Sequence, residues 1–246
     1  MTHVLVTRPL ESSQQLAEQL DALDYSPIVM PLYTFSARRP PLELNSAWSL
    51  RHSRCLAIFT SPRAVHFGLV HILDDRLKGL EIAAVGAATR AKLEARGCEV
   101  HLQASTGYSS EDLLQMPELA ANPGEAVIFC APGGRETLAN GLKDLGWNVL
   151  NALVYERVPM LPDAAQIEAV ANADELLSIW TSVSALELAR QHLPAEVWEK
   201  ILNAPALVIS ERIRHHLQQL GAARVEQADG PGNTELLQSI LRLRGR

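Results

Sequence analysis

Hydroxyl, glycine and arginine residues follow several short apolar segments of this sequence, at the points where a helix-like pattern begins. If the segments are strands of parallel sheets, these residues lie at the carboxyl ends, where ligands commonly bind. Neutral donors with a few arginines suit a ligand that carries several carboxylates. Each position alone is better explained as an ordinary helix start, whereas the whole set predicts a binding edge. The set comprises Thr7, Arg8, Pro9, Thr60, Ser61, Gly86, Gly133, Gly134, Arg135, Thr181, Ser182 and Ser210.

The adjacent glycines Gly133 and Gly134 are the most specific part of this set. Two glycines between a strand and a helix let backbone amides approach a ligand closely, although a plain tight turn explains them equally well. The dinucleotide, phosphate-loop, serine-elbow and zinc-protease motifs do not occur in the sequence. We therefore expect neither a metal nor an organic cofactor.

Tyr155 is the candidate for proton chemistry. It lies at the end of a predicted strand, residues 149–155, where the chain enters a proline-bearing connector. A tyrosine hydroxyl in that place can donate a hydrogen bond or act as a weak general acid. Packing of the ring against the connector is the simpler interpretation from the sequence alone.

Composition limits the class of protein. The chain has 246 residues, 47% of them hydrophobic, and a net charge of −6. The length supports one large domain or two ordinary ones, and the acidic balance argues against general nucleic-acid binding. The 3 cysteines form no disulfide or zinc pattern, and no signal peptide or membrane-length apolar run is present. These features predict a cytoplasmic protein with reduced thiols.

Short apolar runs alternate with amphipathic stretches along the whole chain. Runs that are apolar on both faces and separated by helices are typical of parallel sheets covered on two sides, so the predicted fold class is α/β. The predicted strands lie at residues 4–6, 28–30, 56–59, 82–85, 99–102, 126–130, 149–155, 176–180, 206–209 and 224–226.

The second half of the sequence repeats the first. Tyr33 recurs as Tyr155 122 residues later, and the pair Thr60-Ser61 recurs as Thr181-Ser182 121 residues later. A repeat of this length predicts two similar lobes with a cleft. Two connectors, residues 33–41 and 155–162, occupy the same repeat position, and their prolines predict extended chain.

The repeat leaves two arrangements open. In the simple arrangement the chain divides near residues 122–124 and each repeat forms one lobe. In the exchanged arrangement the connectors lie side by side as a two-strand bridge, and each lobe takes strands from both repeats. Periodicity does not distinguish the two arrangements.

An ordered set of motifs resembles the uroporphyrinogen-III synthase family over essentially the whole chain. Each motif is weak alone, but their order is specific. The motifs are V-L-V-T-R-P (4–9), F-T-S-P-R-A-V (59–65), A-V-G-A-A-T (84–89), G-G-R-E (133–136), V-Y-E-R (154–157), W-T-S (180–182) and V-I-S-E-R (208–212).

The resemblance implies the exchanged arrangement. It implies two parallel-sheet lobes of flavodoxin or Rossmann type, joined by a two-strand β-ladder. We accordingly expect the first lobe to comprise residues 1–34 and 162–246, the linker 35–43 and 151–161, and the second lobe 44–150.

The resemblance also implies an activity. The linear tetrapyrrole hydroxymethylbilane loses its hydroxyl, inverts ring D and closes to uroporphyrinogen III without a cofactor. By resemblance, Tyr155 assists departure of the hydroxyl, and Thr89 joins the strand-end residues that face the substrate. Some relatives carry threonines where this chain has Ser210 to Arg212, which puts any single indispensable hydroxyl there in doubt.

The expected partners follow from the same interpretation. We expect a monomer that binds its small-molecule substrate, binds neither nucleic acid nor membrane, and can contact hydroxymethylbilane synthase transiently. The alternative is a non-catalytic two-lobed binding protein for a polycarboxylate, because the same hydroxyl and amide edge suits both.

Overall fold

The structure is a computed structural model, which describes residues 1–41, 44, 54–72, 79–104, 109–133 and 136–244. The strands are β1 (Thr2–Val6), β2 (Ser26–Val29), β3 (Tyr33–Ala37), β4 (Cys55–Phe59), β5 (Glu81–Ala84), β6 (Leu102–Gln103), β7 (Glu125–Cys130), β8 (Asn148–Leu153), β9 (Tyr155–Pro159), β10 (Glu175–Trp180), β11 (Ala206–Val208) and β12 (Val225–Gln227).

The helices of the described residues alternate with these strands. They are α1 (Leu10–Asp21), α2 (Pro62–Gly68), α3 (Ala87–Glu94), α4 (Ser110–Leu114), α5 (Pro117–Ala121), α6 (Glu136–Asp144), α7 (Ala164–Asn172), α8 (Val183–His192), α9 (Ala195–Asn203), α10 (Glu211–Gln219) and α11 (Asn233–Arg244), with a 3₁₀ turn at Leu69–His71. None of them is long and apolar enough to cross a membrane.

The chain divides into two compact units. Unit 1 contains Met1–Thr34 and Val158–Arg246, and unit 2 contains Phe35–Arg157. The sheet of unit 1 has the order β12-β11-β10-β1-β2, and that of unit 2 the order β6-β5-β4-β7-β8. Neighbouring strands are parallel in both sheets. The predicted α/β class with two parallel sheets is therefore confirmed.

The internal repeat explains why the two sheets share one strand order. The repeat equates β1 and β2 with β7 and β8, and β10, β11 and β12 with β4, β5 and β6. Each sheet therefore takes two strands from one repeat and three from the other, and the exchanged arrangement is confirmed. A division near residues 122–124 is wrong, because those residues precede β7 inside unit 2.

A short third sheet pairs the two connectors. Strands β3 and β9 lie side by side, and backbone bonds from Arg38 N to Val154 O and from Met160 N to Leu32 O, each 2.9 Å, flank the pair. As one partner number rises the other falls, so the strands are antiparallel. The predicted extended connectors are thus confirmed over Tyr33–Ala37 and Tyr155–Pro159.

Two predicted strands differ from the structure. The single strand predicted at residues 149–155 is divided between β8 and β9. The segment pairs with β7 as far as Leu153 and with β3 from Tyr155 onward. The strand predicted at residues 99–102 is reduced to β6, Leu102–Gln103. Before it, the side chain of His101 takes the place of a backbone partner, since its Nδ1 accepts the Ile82 N–H at 3.1 Å.

Both sheets are buried on two faces, as their apolar strands predict. Val4, Leu5 and Val6 in unit 1 and Leu56 and Phe59 in unit 2 are all fully buried. Burial of such side chains is worth about 1.5–3 kcal/mol each and fixes which strands are central. The central strands in turn determine where the loops with polar residues emerge.

Candidate functional site

The chain continues in opposite directions from the two central strands of unit 2. β4 and β7 are neighbours, and the chain continues from β4 to β5 on one side and from β7 to β8 on the other. Such a switch point is the usual ligand position in an open parallel sheet. The Thr60 hydroxyl donates to the carbonyl oxygen of Phe129 at 3.0 Å and joins the two strands there.

Ser61 connects the next helix to Tyr155. It is the N-cap residue of α2, and its Oγ accepts the backbone N–H of Ala64 at 3.1 Å. The same Oγ lies 3.1 Å from the hydroxyl oxygen of Tyr155. A hydroxyl pair is therefore built at the edge of the sheet, on two elements that the sequence separates by 94 residues.

Aromatic rings hold Tyr155 in place. Its side chain is 9% exposed. The ring of Phe67 is stacked on it at 5.6 Å between centroids, and Phe35 meets it edge-on at 5.8 Å. Both ring geometries are favourable. Tyr155 was predicted to end a strand, whereas it begins β9. Its ring packs on Phe35 of the other connector strand, and its hydroxyl shares a hydrogen bond with the Ser61 hydroxyl.

Two arginines lie on the same aromatic cluster. The Arg63 guanidinium carbon is 3.9 Å from the centroid of the Phe35 ring, and that of Arg157 is 6.0 Å away. Cation–π contacts at these distances are attractive, and a contact of this kind uses the face of the guanidinium and not its N–H groups. Their positions near predicted strand ends leave a binding role and a solvated surface position equally open, and Phe35 is 28 residues from Arg63 in the sequence, so no local pattern marks the contact.

A cavity opens at Tyr155. Its volume is about 360 Å³, and it is lined by Phe35, Ala131, Pro132, Tyr155, Glu156 and Arg157. Gly133, which follows Pro132 in the chain, has φ +70°, a backbone conformation that favours glycine. Gly134 and Arg135, the rest of the predicted glycine turn, lie outside the described residues.

The other predicted residues of unit 2 lie at the start of α3. Gly86 is at its N-cap position, and no side-chain bond caps the helix. Thr89 is 3% exposed, and its N–H donates to the Gly86 carbonyl at 3.0 Å. This turn follows β5, the neighbour of β4, so it belongs to the same edge of the sheet.

Unit 1 has a polar edge of its own, after β1, β10 and β11. Thr7 is buried, and its hydroxyl donates to the Ile179 carbonyl at 2.8 Å. Arg8 Nη1 donates to Asn233 Oδ1 at 2.6 Å. Ser182 caps α8 by accepting the Ala185 N–H. Pro9 and Ser210 occupy N-cap positions without a side-chain cap bond, and Thr181 precedes Ser182.

The predicted site residues therefore fall into two groups. Thr60, Ser61, Gly86, Thr89, Gly133 and Tyr155 belong to the edge of unit 2, and Thr7, Arg8, Pro9, Thr181, Ser182 and Ser210 belong to that of unit 1. Thr60 and Thr7 each come shortly before an N-cap residue. Their hydroxyls donate to strand carbonyls and do not cap a helix.

Other chemistries receive no support among the residues that the structure describes. No three histidine, cysteine or acidic side chains in this part of the chain are grouped to hold a metal ion. Burial raises the pKa of the Cys130 thiol to about 11, so almost none of this thiol is a nucleophilic thiolate at neutral pH.

Comparison with known proteins agrees with this architecture. The family model described as "Uroporphyrinogen-III synthase HemD" matches residues 14–238 of the chain. The chain belongs to the uroporphyrinogen-III synthase family. Two curated family members, from Escherichia coli and Salmonella typhimurium, are each 28% identical to it, with alignments that cover 96% of this chain and 99% of theirs.

Solved structures of uroporphyrinogen III synthases have the same fold. The Helicobacter pylori protein superposes with a TM-score of 0.68 at 20% identity, over 99% of this chain and 100% of that one. A mutant of the Thermus thermophilus protein gives 0.62 at 19% identity, over 100% of both chains. The likeness extends over both units.

Proposed function

We propose that this protein catalyses the uroporphyrinogen-III synthase reaction, in which hydroxymethylbilane loses water and closes to uroporphyrinogen III with ring D inverted. The observation that carries the proposal is the family match, which extends through both units. The reaction breaks a C–O bond and closes a ring with release of water, so the activity is that of a cyclising hydro-lyase.

The proposed mechanism begins with departure of the substrate hydroxyl. Tyr155 donates its proton to that oxygen, which takes the C–O electron pair and leaves as water. The pyrrole system carries the resulting positive charge as an azafulvenium cation. The ring D carbon that already carries the bridge to ring C attacks the cation. The bond between that carbon and the bridge then breaks, which moves the positive charge to the bridge carbon of ring C, and the unsubstituted α-carbon of ring D attacks that carbon to close the inverted macrocycle. The proton lost from this α-carbon restores the phenol. Tyr155 suits this role because its ring is held by Phe35 and Phe67 beside a cavity.

Orientation is the second part of the mechanism. The uncatalysed bilane also cyclises, but without inversion, so the protein has to hold the conformer in which the other ring carbon is nearer. Holding reactants in a productive geometry is worth up to about 7–11 kcal/mol. Backbone N–H groups at the helix starts of the unit 2 edge bind acetate and propionate groups. Arg63 and Arg157, on the ring of Phe35, add the positive charge that carboxylates require.

An isomer-resolved assay tests the function. Hydroxymethylbilane is supplied to the purified protein, and the products are oxidised to porphyrins and separated. We expect type III to exceed the spontaneous type I product. A non-catalytic polycarboxylate-binding protein would yield type I alone, and that result would exclude the synthase.

The role of Tyr155 is tested by Tyr155→Phe. Loss of the proton donor lowers the rate of type III formation about a hundredfold, the low end of general acid catalysis. Tyr33→Phe is the matched control, because Tyr33 is the repeat counterpart at the start of β3, and we expect its rate within about twofold of the wild type. Unchanged turnover in Tyr155→Phe would show that Tyr155 is not the acid.

A further inference from the structure

We propose that Ser61 is a positioning residue, which orients the hydroxyl of Tyr155 so that the tyrosine proton faces the substrate. The inference rests on the proposed function, because it concerns the step assigned to Tyr155. It assigns to Ser61 a task beyond the substrate binding that its place at the strand end predicts. The hydrogen bonds around its Oγ carry the argument.

The hydrogen-bond capacity of Ser61 allows two directions for the pair. A serine hydroxyl has one hydrogen to donate and two lone pairs. One lone pair accepts the Ala64 N–H at 3.1 Å, and the Tyr155 oxygen lies at 3.1 Å on another side. When the Ser61 hydrogen is donated to the Tyr155 oxygen, the hydrogen of Tyr155 remains for a third group. The reverse direction consumes the tyrosine proton inside the protein.

The reaction requires the first direction. Tyr155 becomes more negative at oxygen as it donates to the departing hydroxyl, and a phenolate can only accept hydrogen bonds. The Ser61 O–H then stabilises the growing charge, and the Ala64 N–H polarises that O–H bond in the same sense. A donor held in position before the reaction lowers the barrier because it need not reorganise.

The surrounding contacts hold the Tyr155 ring and the chain next to Ser61 in place. Phe67 and Phe35 hold the ring of Tyr155, and the neighbouring Thr60 is bonded through both its N–H and its hydroxyl to the Phe129 carbonyl. The two oxygens are therefore at a set distance. The remaining freedom is rotation of the two hydroxyl hydrogens, which decides whether Ser61 or Tyr155 is the donor in the pair.

A double-mutant cycle separates this role from helix capping and from substrate contact. We measure type III formation by the wild type, Ser61→Ala, Tyr155→Phe and the double variant. In the wild-type background we expect Ser61→Ala to lower kcat about tenfold, since a hydrogen bond to a charged group is lost, with KM within about twofold. In the Tyr155→Phe background the same change has less than a twofold effect, because no tyrosine hydroxyl is left to orient.

Two further variants of Ser61 test the proposal if Ser61→Ala is unstable. Ser61→Gly removes the hydroxyl at little cost to the cap, so it carries the cycle if Ser61→Ala is too unstable to assay. Ser61→Thr retains a hydroxyl and restores kcat to within about threefold of the wild type. Failure of threonine to restore kcat, in a variant that melts normally, counts against the proposal.

Ser109→Ala is the matched cap control. Ser109 caps α4 in the same unit, and its Oγ accepts the Asp112 N–H at 3.1 Å, as Ser61 Oγ does from Ala64. We expect a thermal midpoint lowered by about 2–4 °C and an unchanged rate in both backgrounds.

Two results overturn the inference while the proposed function stands. One is an equal tenfold loss in both backgrounds, which assigns Ser61 to the cap alone. The other is a loss confined to KM, which assigns it to substrate contact. A wild-type protein that forms type I only is a different result, because it removes the proposed function itself.

Discussion

At the carboxyl edge of each sheet, a serine caps the helix that follows a central strand. Ser61 does so in unit 2 and its repeat counterpart Ser182 in unit 1, each accepting an N–H at 3.1 Å. A threonine hydroxyl also bridges the two central strands in each unit, Thr60 to β7 and Thr7 to β10. Thr60 follows β4, whereas Thr7 follows β1, which is the repeat counterpart of β7. Both units therefore have a serine cap and a threonine bridge, but the bridging threonine follows a different strand in each.

The side chains around the cap and the bridge differ between the units. Arg63 and Phe67 of α2 correspond to Ser184 and Leu188 of α8, 121 residues later, and Phe35 corresponds to Arg157, 122 residues later. Unit 2 thus carries the aromatic and guanidinium cluster around its tyrosine. The two repeats therefore share helix capping and strand bridging, which stabilise the fold, and differ in the side chains at the positions around Tyr155 in unit 2.

The cores beneath the two edges differ in a compensating way. In unit 2 the rings of Phe59 and Phe129 are stacked 4.6 Å apart, and a Cβ at Gly68 would lie 2.8 Å from Phe129. Their counterparts in unit 1 are Trp180, Val6 and Ala189. Helix α2 of unit 2 thus has glycine where α8 has alanine, at the position where the strands of unit 2 carry two aromatic rings.

Exchanging the small residues breaks this compensation and has the largest expected effect. Gly68→Ala places a methyl group against two stacked rings that cannot both move, and we expect a net loss of about 2 kcal/mol in the free energy of unfolding. Ala189→Gly costs about 1 kcal/mol through helix propensity. Denaturant titration of both variants measures the difference, and a stabilised Gly68→Ala variant would show that the ring stack is not tightly packed.

Replacing Arg63 of unit 2 by serine, the residue at the equivalent position of unit 1, tests the functional difference between the two edges. Arg63→Ser removes the guanidinium 3.9 Å from the Phe35 ring. We expect kcat/KM to fall about tenfold, mainly through KM, because a charge-assisted bond to a carboxylate is lost. Steady-state kinetics at two salt concentrations measure it, since the wild-type advantage shrinks as salt rises.

Arg242→Ser is the control for this charge change. Arg242 is an exposed arginine of unit 1 that pairs with Asp229 at 2.8 Å, so its replacement alters the net charge equally. We expect kinetics like those of the wild type. Similar losses in Arg63→Ser and Arg242→Ser would mean that net charge matters and that the contact with Phe35 does not.

The sequence predicted which elements exist better than which elements meet. The apolar runs at residues 56–59, 126–130 and 176–180 are central strands, as their two-sided burial indicates. Periodicity left the simple and exchanged arrangements open, because a strand's own pattern says nothing about which repeat supplies its neighbour. The family resemblance favoured the exchanged arrangement, and the strand order of both sheets agrees with it.

At the candidate site, too, the sequence predicted the residues but not their contacts. Thr60, Ser61 and Tyr155 were identified from their positions after apolar runs and from the family motifs, but their contacts were not. The Ser61–Tyr155 pair and the stacking of Arg63 on Phe35 join residues that are far apart in sequence. No local pattern marks such pairs. A phenylalanine in a proline-bearing connector was the one available signal, since an extended linker has little need of an aromatic ring.

A difference in cysteine content between the units leads to the smallest predicted effect. The cysteines Cys55, Cys98 and Cys130 all lie in unit 2, and unit 1 contains none. Burial raises the pKa of Cys130 from 9.0 to about 11 and also raises that of Cys98. A raised pKa means that the folded protein favours the neutral thiol.

The sign of the resulting pH dependence follows from the direction of that shift. Below pH 9 the thiol is neutral in both states and its contribution is fully present. Between pH 9 and about 11 the unfolded chain ionises first, so the free energy of unfolding falls, by about 1 kcal/mol at pH 10 from Cys130 alone. Cys130→Ala removes this part, and every other ionisable group is common to the two proteins. Urea titrations at pH 8 and pH 10 measure the difference between the two proteins, and equal losses in both would mean that water reaches the Cys130 thiol in the folded unit.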